Sequence, residues 1–474
     1  MEPRSLEFVA RAAGGEIRNA PPGLVVHGLD IDSRTVAAGR LFLALRGDRF
    51  DGHDFLRAAR KAGAAAVLIE RRRVSDLPAN CPAILVDDSR HALGAIAREY
   101  RSAFSIPVVA VGGSNGKTTT KDLVASVLRT RGPVQASPAS YNNDIGVPLT
   151  LLGLETQQHA GVVELGTNHP GELLRLLEIA RPTHAVLTCL GREHLEFFGD
   201  LEGVIREEGW LAEQLPPRGT LVVHGDDPAV EPVLRRTSAR IVRTGWSPDA
   251  SWQALSATLT EHGTSFTVRA PTPELSGTYT LQHLGRHQVA NALLALALGA
   301  ELGLNASALR QGLAAVSPAT HRLQLHQVAG IRILDDTYNA NADSMRAALD
   351  TLRALPIPAR RIAVLGAMAE LGPHSPAAHA EVGRHAAAIG IDQLVTVGPH
   401  AADIADAARA AGFRNVETHP DALAAADRLA PSLRPGDLVL VKASRSARLE
   451  QVVEALLRAL RSAPSTPTPA CSTT

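Results

Sequence analysis

Several features that mark other classes of protein are scarce or absent in this chain. Its 474 residues include only three cysteines, Cys81, Cys189 and Cys471, whose surroundings match neither a disulfide framework nor a metal-binding pattern. No apolar run reaches the roughly 18 residues of a membrane-spanning helix, and the N-terminus lacks the apolar core of a signal peptide. The 48 basic and 48 acidic residues cancel, so no basic excess favours nucleic-acid binding. We therefore expect a cytoplasmic globular protein that neither spans a membrane nor binds nucleic acid.

Lysine is scarce too, and one of the few lysines lies in the most informative stretch, IPVVAVGGSNGKTTTK at 106–121. An apolar run that predicts a buried strand is followed by a glycine loop, a Lys-Thr pair and a segment with helical spacing. In such a loop, backbone N–H groups and the helix N-terminus face a phosphate, the lysine reaches the outer phosphates, and a threonine hydroxyl can hold Mg²⁺. The residues of this predicted ATP-phosphate site are Gly113, Ser114, Asn115, Gly116, Lys117, Thr118 and Thr119.

The alternative for this stretch is a glycine-rich turn followed by a chance Lys-Thr pair. The general phosphate-loop pattern has a glycine five positions before its Gly-Lys pair, and this chain has Val111 there. The predicted strand before the loop and the predicted helix after it favour the phosphate site.

The pattern of apolar runs divides the chain into three α/β segments and a tail. Residues 1–103 mix short strands with short helices, 104–318 contain the phosphate loop, and 319–461 alternate clearly between strands and helices. Such alternation predicts mostly parallel sheets wrapped by helices. Within the second segment, 219–282 is rich in strands and predicts antiparallel pairing. The end, 462–474, lacks a core-forming pattern and predicts disorder.

Two polar residues follow further strand candidates in the second segment. Glu164 lies in VVELGTNHPGE and His194 in LTCLGREHLEFFG. Ligands of open α/β sheets gather at the carboxyl ends of strands, so both residues are candidate Mg²⁺ ligands near the nucleotide. Mg²⁺ prefers oxygen, which favours Glu164 over His194. The alternatives are a helix-capping carboxylate for Glu164 and a structural histidine for His194.

A second polar cluster, ILDDTYNANADSM, follows a strand in the third segment. It contains Asp336, Tyr338 and Asn339, and carboxylates at a strand end can grip ribose hydroxyls or orient a cation. The alternative is an Asx-rich turn that leads into a helix. Arg322, at the predicted junction of the second and third segments, can reach a phosphate or form a surface ion pair.

Together these motifs resemble the Mur ligase family of ATP-dependent amide-bond ligases, which build the peptidoglycan stem peptide. The resemblance covers nearly the whole chain and includes GSNGKTT at 113–119, VELGTNHPGE at 163–172 and HLEFFG at 194–199. YNNDIGVPLTLL at 141–152 and DDTYNAN at 335–341 resemble the branch that adds D-alanyl-D-alanine to UDP-N-acetylmuramoyl-tripeptide. The implied fold has a small α/β UDP-sugar domain, a central P-loop ATPase-like parallel sheet with an antiparallel addition, and a C-terminal Rossmann-like α/β domain.

The resemblance implies a role for each matching residue. Lys117 would stabilise the γ-phosphoryl group as it transfers, Thr118 and Glu164 would hold one Mg²⁺, and His194 would help to hold a second. The residues implied to contact ATP beyond the loop are Asn291, Arg322 and Asp336. The residues implied to bind the other substrates are Ser33, Arg34, Arg46, Gly47, Asn142, Asn143, Tyr338 and Asn339.

The implied reaction joins two small molecules at the expense of ATP. The terminal carboxylate of the tripeptide is activated as an acyl phosphate, and the amine of D-alanyl-D-alanine then displaces phosphate. The implied cofactors are ATP and Mg²⁺, and the implied oligomeric state is a monomer. The motifs leave open whether the tripeptide ends in diaminopimelate or lysine, and which side chains grip D-alanyl-D-alanine.

One departure from the family pattern concerns a metal ligand. The family has a carbamylated lysine, whose carbamate ligates Mg²⁺, in an A-K-G-E stretch, and IREEGW at 205–210 puts Glu208 in its place. We hypothesise that Glu208 supplies a carboxylate to the metal without carbon dioxide. The alternative is a weakened second metal site with Glu208 on a helix face. Smaller departures, where the family has Asn, Asn, Asp and Gly, are Cys189, Gln288, Ala367 and Ala443.

Two other functions remain open at this point. A different ligase of the family would add another amino acid, or add glutamate to a folate, but the DDTYNAN and YNNDIGVP stretches argue against both. A nucleotide-binding regulatory protein without ligase activity is suggested only by Glu208.

Overall fold

The computed structural model describes residues 1–358 and 360–462 of the chain. It contains a five-stranded, a nine-stranded and a six-stranded sheet, with a two-stranded ribbon near the N-terminus. The three sheets lie within 16–86, 108–281 and 324–442, which confirms the predicted α/β class. We call 1–103, 104–318 and 319–462 the N-terminal, central and C-terminal parts. The predicted boundaries at 103/104 and 318/319 stay predictions. Ser462, the first residue of the predicted disordered tail (462–474), is instead the last residue of a helix, and the rest of the tail lies outside the described residues.

The N-terminal part is a small sheet with helices on its faces. Its elements are β1 (Arg4–Ser5), α1 (Leu6–Ala13), β2 (Glu16–Arg18), β3 (Val25–Val26), β4 (Leu29–Asp30), β5 (Leu41–Leu43), α2 (Leu56–Lys61), β6 (Ala66–Glu70), β7 (Ala83–Val86) and α3 (Ser89–Ser102). The strand order is β2-β7-β6-β5-β4, and only the β2–β7 pair is antiparallel. Strands β5, β6 and β7 are buried along their whole length, as expected for parallel strands covered on both faces.

The central part contains the largest sheet and most of the helices around it. Its elements are β8 (Val108–Gly112), α4 (Lys117–Arg129), β9 (Val134–Ala136), α5 (Gly146–Leu152), β10 (Ala160–Glu164), α6 (Glu172–Ala180), β11 (His184–Leu187), α7 (Leu195–Phe198), α8 (Leu201–Glu208), α9 (Trp210–Glu213), β12 (Thr220–His224), α10 (Glu231–Leu234), β13 (Arg240–Gly245), β14 (Trp252–Thr260), β15 (Gly263–Arg269), β16 (Gly277–Leu281), α11 (Arg286–Glu301) and α12 (Ala306–Ala314). The strand order is β16-β15-β14-β13-β12-β11-β8-β10-β9.

The prediction of antiparallel pairing over 219–282 is confirmed for β14, β15 and β16 and wrong for β12 and β13. β12 pairs in parallel with β11 and with β13, and β13 pairs in parallel with β14, so both strands extend the nucleotide-binding sheet. Parallel neighbours need a crossover connection, which here contains the four-residue helix α10. A helix this short leaves no periodic pattern in the sequence. The sequence therefore predicted that β12 and β13 were neighbouring antiparallel strands.

The C-terminal part is a second parallel sheet with one antiparallel edge. Its elements are β17 (Gln324–Val328), β18 (Ile331–Asp336), α13 (Ala342–Ala354), β19 (Arg361–Gly366), α14 (Ser375–Ala388), β20 (Gln393–Val397), α15 (Ala401–Ala410), β21 (Val416–His419), α16 (Ala422–Leu429), β22 (Leu438–Lys442) and α17 (Glu450–Ser462). The strand order is β17-β18-β22-β19-β20-β21, and only β17 runs antiparallel to its neighbour.

The apolar cores show how the parts are joined. One core continues from the N-terminal part into the central part and includes Leu93, Tyr100, Leu151 and Leu177. The C-terminal sheet has its own apolar clusters on its two faces. Over the described ranges, none of the helices combines the length and apolarity that crossing a bilayer demands.

Candidate active site

A cavity of about 1100 Å³ lies between the three parts of the chain. Arg90 of the N-terminal part, Lys117 of the central part and Tyr338 of the C-terminal part all line it. The central wall is formed where β8, β10 and β11 end, three neighbours in the parallel part of the sheet. Ligands of open α/β sheets bind at this edge, so the cavity is the candidate active site.

The predicted phosphate loop lies on this wall in a conformation that needs glycine. Gly113 and Gly116 have φ values of 109° and 83°, in the left-handed region that favours glycine. Gly116 is the N-cap of α4, so the helix N-terminus opens at the loop. A Cβ atom on Gly116 would lie 2.6 Å from Oδ1 of Asn291. The same close approach brings Asn291, a predicted contact of ATP, against the loop and into the cavity wall.

Lys117 is a buried cation beneath the loop. Its ammonium donates to two carbonyl oxygens of the loop and lies 3.4 Å from Oε2 of Glu193. Burial opposes the charge, but the carboxylates of Glu193, Glu208 and Glu164 outweigh burial and raise the pKa of Lys117. The lysine therefore stays charged where the outer phosphates of a nucleotide would lie.

Glu164 ends β10 and points into the cavity with one oxygen free. Nδ2 of Asn142 donates to Oε1 of Glu164 at 2.9 Å, and the Glu164 N–H donates to Oγ of Ser137. Oε2 is buried and has no hydrogen-bond partner. The helix-capping alternative does not apply, because the next helix begins at Glu172 behind the N-cap Gly171. Asn142, a predicted substrate contact, therefore also orients Glu164.

His194 is held in a strained conformation by the C-terminal part. Its φ of 49° is in the left-handed region, which non-glycine residues seldom adopt, and it precedes α7 directly. Nδ1 is hydrogen bonded to Oε2 of Glu370, and this bond is the main reason that the pKa of Glu370 is lowered. An ionised carboxylate only accepts hydrogen bonds, so Nδ1 is the donor. Nε2 then faces the cavity, 3.8 Å from Oε2 of Glu193.

Glu208, the residue in place of the family's carbamylated lysine, lies behind the phosphate loop. It is 1% exposed, and its Oε2 accepts a hydrogen bond from the N–H of Gly113 at 2.8 Å. Burial raises its pKa to about 7, although the charge of Lys117 acts in the opposite direction. Oε1 is buried and unpartnered, but Glu208 is not part of the cavity wall. Glu208 therefore does more than lie on a helix face, and both its role as a metal ligand and the alternative of a weakened second metal site stay predictions.

The predicted C-terminal residues meet the phosphate loop across the cavity. Nη2 of Arg322 donates to Oγ1 of Thr118 at 3.0 Å, and its guanidinium lies 4.1 Å above the ring of Tyr338. Arg322 therefore contacts the phosphate loop, and its predicted contact with a phosphate stays a prediction. Nζ of Lys442 forms an ion pair of 2.7 Å with Oδ2 of Asp336. It also donates a hydrogen bond to the carbonyl oxygen of Asn339 at 2.8 Å. Asn143, also in the wall, accepts from the N–H groups that begin α5.

Four predicted UDP-sugar residues lie outside the cavity wall. Ser33 and Arg34 follow β4, and Arg46 and Gly47 follow β5, in surface loops. Arg34 pairs with Asp32 of the same loop. Because β4, β5, β6 and β7 are parallel, these loops share one sheet edge with the start of α3, which carries Arg90 into the cavity.

Several charged residues of the cavity wall were not predicted from the sequence. Among them are Glu193, Arg90 and Arg175. Glu193 directly precedes His194 and follows β11, so its position in a strand-end motif was an available signal. Arg90 and Arg175 lie on α3 and α6, where an arginine is most often a surface residue. Nothing in their local sequence distinguishes them from the many other arginines.

The predicted metal ligands do not enclose a ready-made metal site. Across 1–358 and 360–462, no three His, Cys, Asp or Glu side chains are grouped so that they could hold a metal ion. Thr118, Glu164 and His194 line the same cavity, whereas Glu208 lies behind it. Any bound cation would therefore need ligands from its substrate or from water as well.

Comparison with protein families matches all three parts of the chain to one family. Residues 25–101 match the model described as Mur ligase family, catalytic domain. Residues 111–299 match the Mur ligase middle domain, and 321–445 match the Mur ligase glutamate ligase domain.

Individual relatives extend over nearly the whole chain. The UDP-N-acetylmuramoyl-tripeptide--D-alanyl-D-alanine ligase of Escherichia coli (strain K12) is 38% identical, with 93% of this chain and 96% of that protein covered. A crystal structure of MurF from Acinetobacter baumannii superposes with a TM-score of 0.88 at 29% identity, covering 97% of this chain and 99% of that one. MurF ligase of Thermotoga maritima in complex with ADP has a TM-score of 0.81 at 29% identity, covering 92% and 98%. The chain belongs to the Mur ligase family.

Proposed function

We propose that this chain is an ATP-dependent ligase that joins D-alanyl-D-alanine to the terminal carboxylate of UDP-N-acetylmuramoyl-tripeptide, in peptidoglycan precursor synthesis. One observation carries the proposal: a single cavity combines the phosphate loop and Glu164 with Arg322 and Tyr338 of the C-terminal part. Relatives that match nearly end to end bear the name of this ligase. The Thermotoga maritima structure is a complex with ADP, which supports nucleotide binding by this chain.

In the first step, an oxygen of the tripeptide's terminal carboxylate attacks the γ-phosphorus of ATP. The bond between that phosphorus and the ADP oxygen breaks, and an acyl phosphate forms. Both reactants are anionic, so catalysis depends on cations and N–H donors that are already in place. Lys117 and the N-terminus of α4 supply them from the central part, and Arg322, 3.0 Å from Thr118, supplies a further cation from the C-terminal part.

The residues fit a magnesium ion beside the phosphates. Glu164 has a buried oxygen without a partner, and the hydroxyl of Thr118 lies in the same cavity. Mg²⁺ is usually held by one or two carboxylates together with phosphates and water, so a complete protein cage is not required. We assign Thr118 and Glu164 to this ion, which when bound would neutralise charge on the phosphate oxygens.

In the second step, the amine of D-alanyl-D-alanine attacks the acyl carbon and loses a proton. The tetrahedral intermediate expels phosphate, and the amide bond remains. Water must be excluded meanwhile, because it would hydrolyse the acyl phosphate. Contacts across the cavity serve this purpose: the hydroxyl of Tyr338 donates to Oγ of Ser140 at 2.7 Å, and Nδ2 of Asn341 donates to Oδ1 of Asn115 at 3.0 Å.

The UDP-sugar would bind along the edge of the N-terminal sheet. The loops after β4 and β5 lie on the edge that also carries Arg90. A substrate whose nucleotide rests on those loops can extend its peptide past Arg90 towards Lys117. Ser33, Arg34, Arg46 and Gly47 are therefore proposed contacts of the UDP-sugar, although they lie outside the cavity.

The decisive experiment is phosphate release from ATP with the tripeptide substrate, with and without D-alanyl-D-alanine, in Mg²⁺ buffer. Release that needs both substrates is the expected result, and Lys117→Ala should abolish it. Single amino acids, and glutamate with a folate, serve as a comparison panel. Release with a member of that panel but not with the dipeptide would replace the proposal by another ligase activity, and no release with any pair would exclude a ligase.

The same assay in bicarbonate-free buffer tests whether the chain needs carbon dioxide. Full activity without bicarbonate is expected, because Glu208 replaces the lysine that the family carbamylates. Activity that falls on bicarbonate depletion and returns on its addition would contradict this.

A further inference from the structure

Glu193 is a buried carboxylate in the cavity to which the resemblance assigns no role. It is 6% exposed and lines the cavity. Its Oε2 lies between two functional groups, 3.4 Å from Nζ of Lys117 and 3.8 Å from Nε2 of His194. Its Oε1 is buried and has no hydrogen-bond partner. An unpartnered buried carboxylate oxygen is costly, which makes this position a candidate for binding a cation.

The orientation of His194 adds an independent indication of a metal. Its Nδ1 donates to Glu370, so in a neutral His194 the lone pair is on Nε2, on the side of the cavity. Histidines that bind metals commonly donate their other ring N–H to a carboxylate in this way. Oε2 of Glu193, which also accepts from Lys117, lies 3.8 Å from Nε2, a separation too long for a hydrogen bond. A cation between His194 and the Glu193 carboxylate would accept the lone pair of Nε2 and give the unpartnered Oε1 a partner.

Glu208 is engaged elsewhere. Its Oε2 accepts from the N–H of Gly113 at 2.8 Å, behind the loop and away from the cavity wall. Its side chain is also several bonds shorter than a carbamylated lysine. Glu193 comes instead from the segment that carries His194, so both donors move with the same piece of backbone.

We propose that Glu193 and His194 together bind a divalent cation next to the outer phosphates of the nucleotide, and that Glu208 instead positions the phosphate loop. Glu193 thus supplies the anionic oxygen ligand that the carbamate supplies in the family. Two protein ligands suffice, since Mg²⁺ keeps phosphate and water oxygens in its shell. This inference rests on the proposed ligase function, because the nucleotide is what completes the site.

The test measures the binding of Mn²⁺ to the full chain with ADP in bicarbonate-free buffer. Binding is monitored as the decrease in the electron paramagnetic resonance signal of free Mn²⁺. Glu193→Gln removes one charge and keeps the shape, and should weaken Mn²⁺ binding about tenfold or more. Glu208→Gln should weaken it less than Glu193→Gln does, and Glu196→Gln should leave it within about twofold. Glu196 is a matched control because it is exposed and lies three residues from Glu193 in the same segment.

Several results would overturn the inference. These are unchanged Mn²⁺ affinity in Glu193→Gln, a loss in Glu208→Gln alone, or binding by the unaltered chain only after bicarbonate is added. Circular dichroism checks that each variant is folded. The unaltered chain provides a further readout. Bound Mn²⁺ should show spin-echo modulation from a nitrogen ligand, and the absence of this modulation would contradict a histidine ligand. Mn²⁺ binding needs no turnover, so substrate-dependent phosphate release in the same samples reports separately on the proposed function.

Discussion

The N-terminal and C-terminal parts both contact the central part, but through different kinds of surface. Between the N-terminal and central parts, α3 packs on α5 and α6 in a continuous apolar core that contains Tyr100. Between the central and C-terminal parts, ion pairs and hydrogen bonds surround the cavity, such as Arg192 with Asp343 and Glu381, and the apolar contact is small, made by Leu259 and Leu284. The first surface holds the fold together, and the second surrounds the candidate chemistry.

The two surfaces differ in what it costs to open them. Exposing apolar surface costs about 25 cal/mol per Å², whereas a polar contact exchanged for water costs only about 1 kcal/mol net. We therefore expect the C-terminal part to move relative to the central part during substrate entry and product release, while the N-terminal part stays attached. Substitutions at the first surface should affect stability, and substitutions at the second should affect activity.

The largest effect is expected from Tyr100→Ala in the apolar surface. Tyr100 is fully buried, and its loss should lower the free energy of unfolding by about 3–5 kcal/mol. Tyr100→Phe keeps the ring and removes only the hydroxyl, which donates to the carbonyl of Leu154 at 2.6 Å, so about 1–2 kcal/mol should be lost. Urea denaturation followed by circular dichroism measures both. Equal effects of the two variants would mean that the hydroxyl, not the packing, joins the parts.

Arg322→Ala should have nearly as large an effect, but on activity. Removing a positioned donor beside the phosphate loop should lower kcat/KM about 10²–10³-fold, with little change in stability. The phosphate-release assay measures the change, and Arg353→Ala, an exposed arginine in the last turn of α13, is the control. A large loss of stability in Arg322→Ala would instead make this polar surface part of the structural core.

The third prediction concerns how the stability of the central part depends on pH through Glu208, the buried carboxyl group behind the phosphate loop. Burial raises its folded-state pKa from 4.5 to about 7, so the folded protein binds this proton more tightly than the unfolded chain does. Its contribution to stability is therefore complete below about pH 4.5 and is lost as the pH rises through about 7. Relative to Glu208→Gln, the free energy of unfolding should fall by up to about 1.4 kcal/mol per pH unit in this window. Parallel pH profiles of the two proteins would contradict the raised pKa.

The smallest effect is expected from Arg192→Ala at the rim of the polar surface. The side chain is 37% exposed, and solvent screens its ion pairs with Asp343 and Glu381. The substitution should therefore weaken the contact between the two parts by about 1 kcal/mol or less, which we expect to see as a several-fold higher KM. Because ion pairs weaken with salt, the difference from the unaltered chain should shrink between low and high NaCl. Arg409→Ala, which breaks an exposed pair within α15, is the control. A salt-independent loss would mean that Arg192 acts through packing.

Contiguous motifs were predicted well from the sequence. The phosphate loop, its strand and its helix lie at 108–129 as predicted, because all the contacts that define them are local. The direction of β12 and β13 was predicted wrongly, because strand composition does not encode which neighbour a strand pairs with. Glu193 was overlooked for a similar reason: its importance comes from its distances to Lys117 and His194, which β8 and β11 bring together.

By itself, the sequence determined the α/β class, the phosphate loop and the membership of a ligase family, because strand and helix periodicity and a short glycine loop are properties of neighbouring residues. Only the tertiary structure decided which carboxylate faces the cavity. Glu193 and Glu208 are 15 positions apart and chemically identical, yet one borders the cavity and the other supports the loop from behind. That difference arises because β11 and α8 approach the phosphate loop from different sides, which no local pattern records.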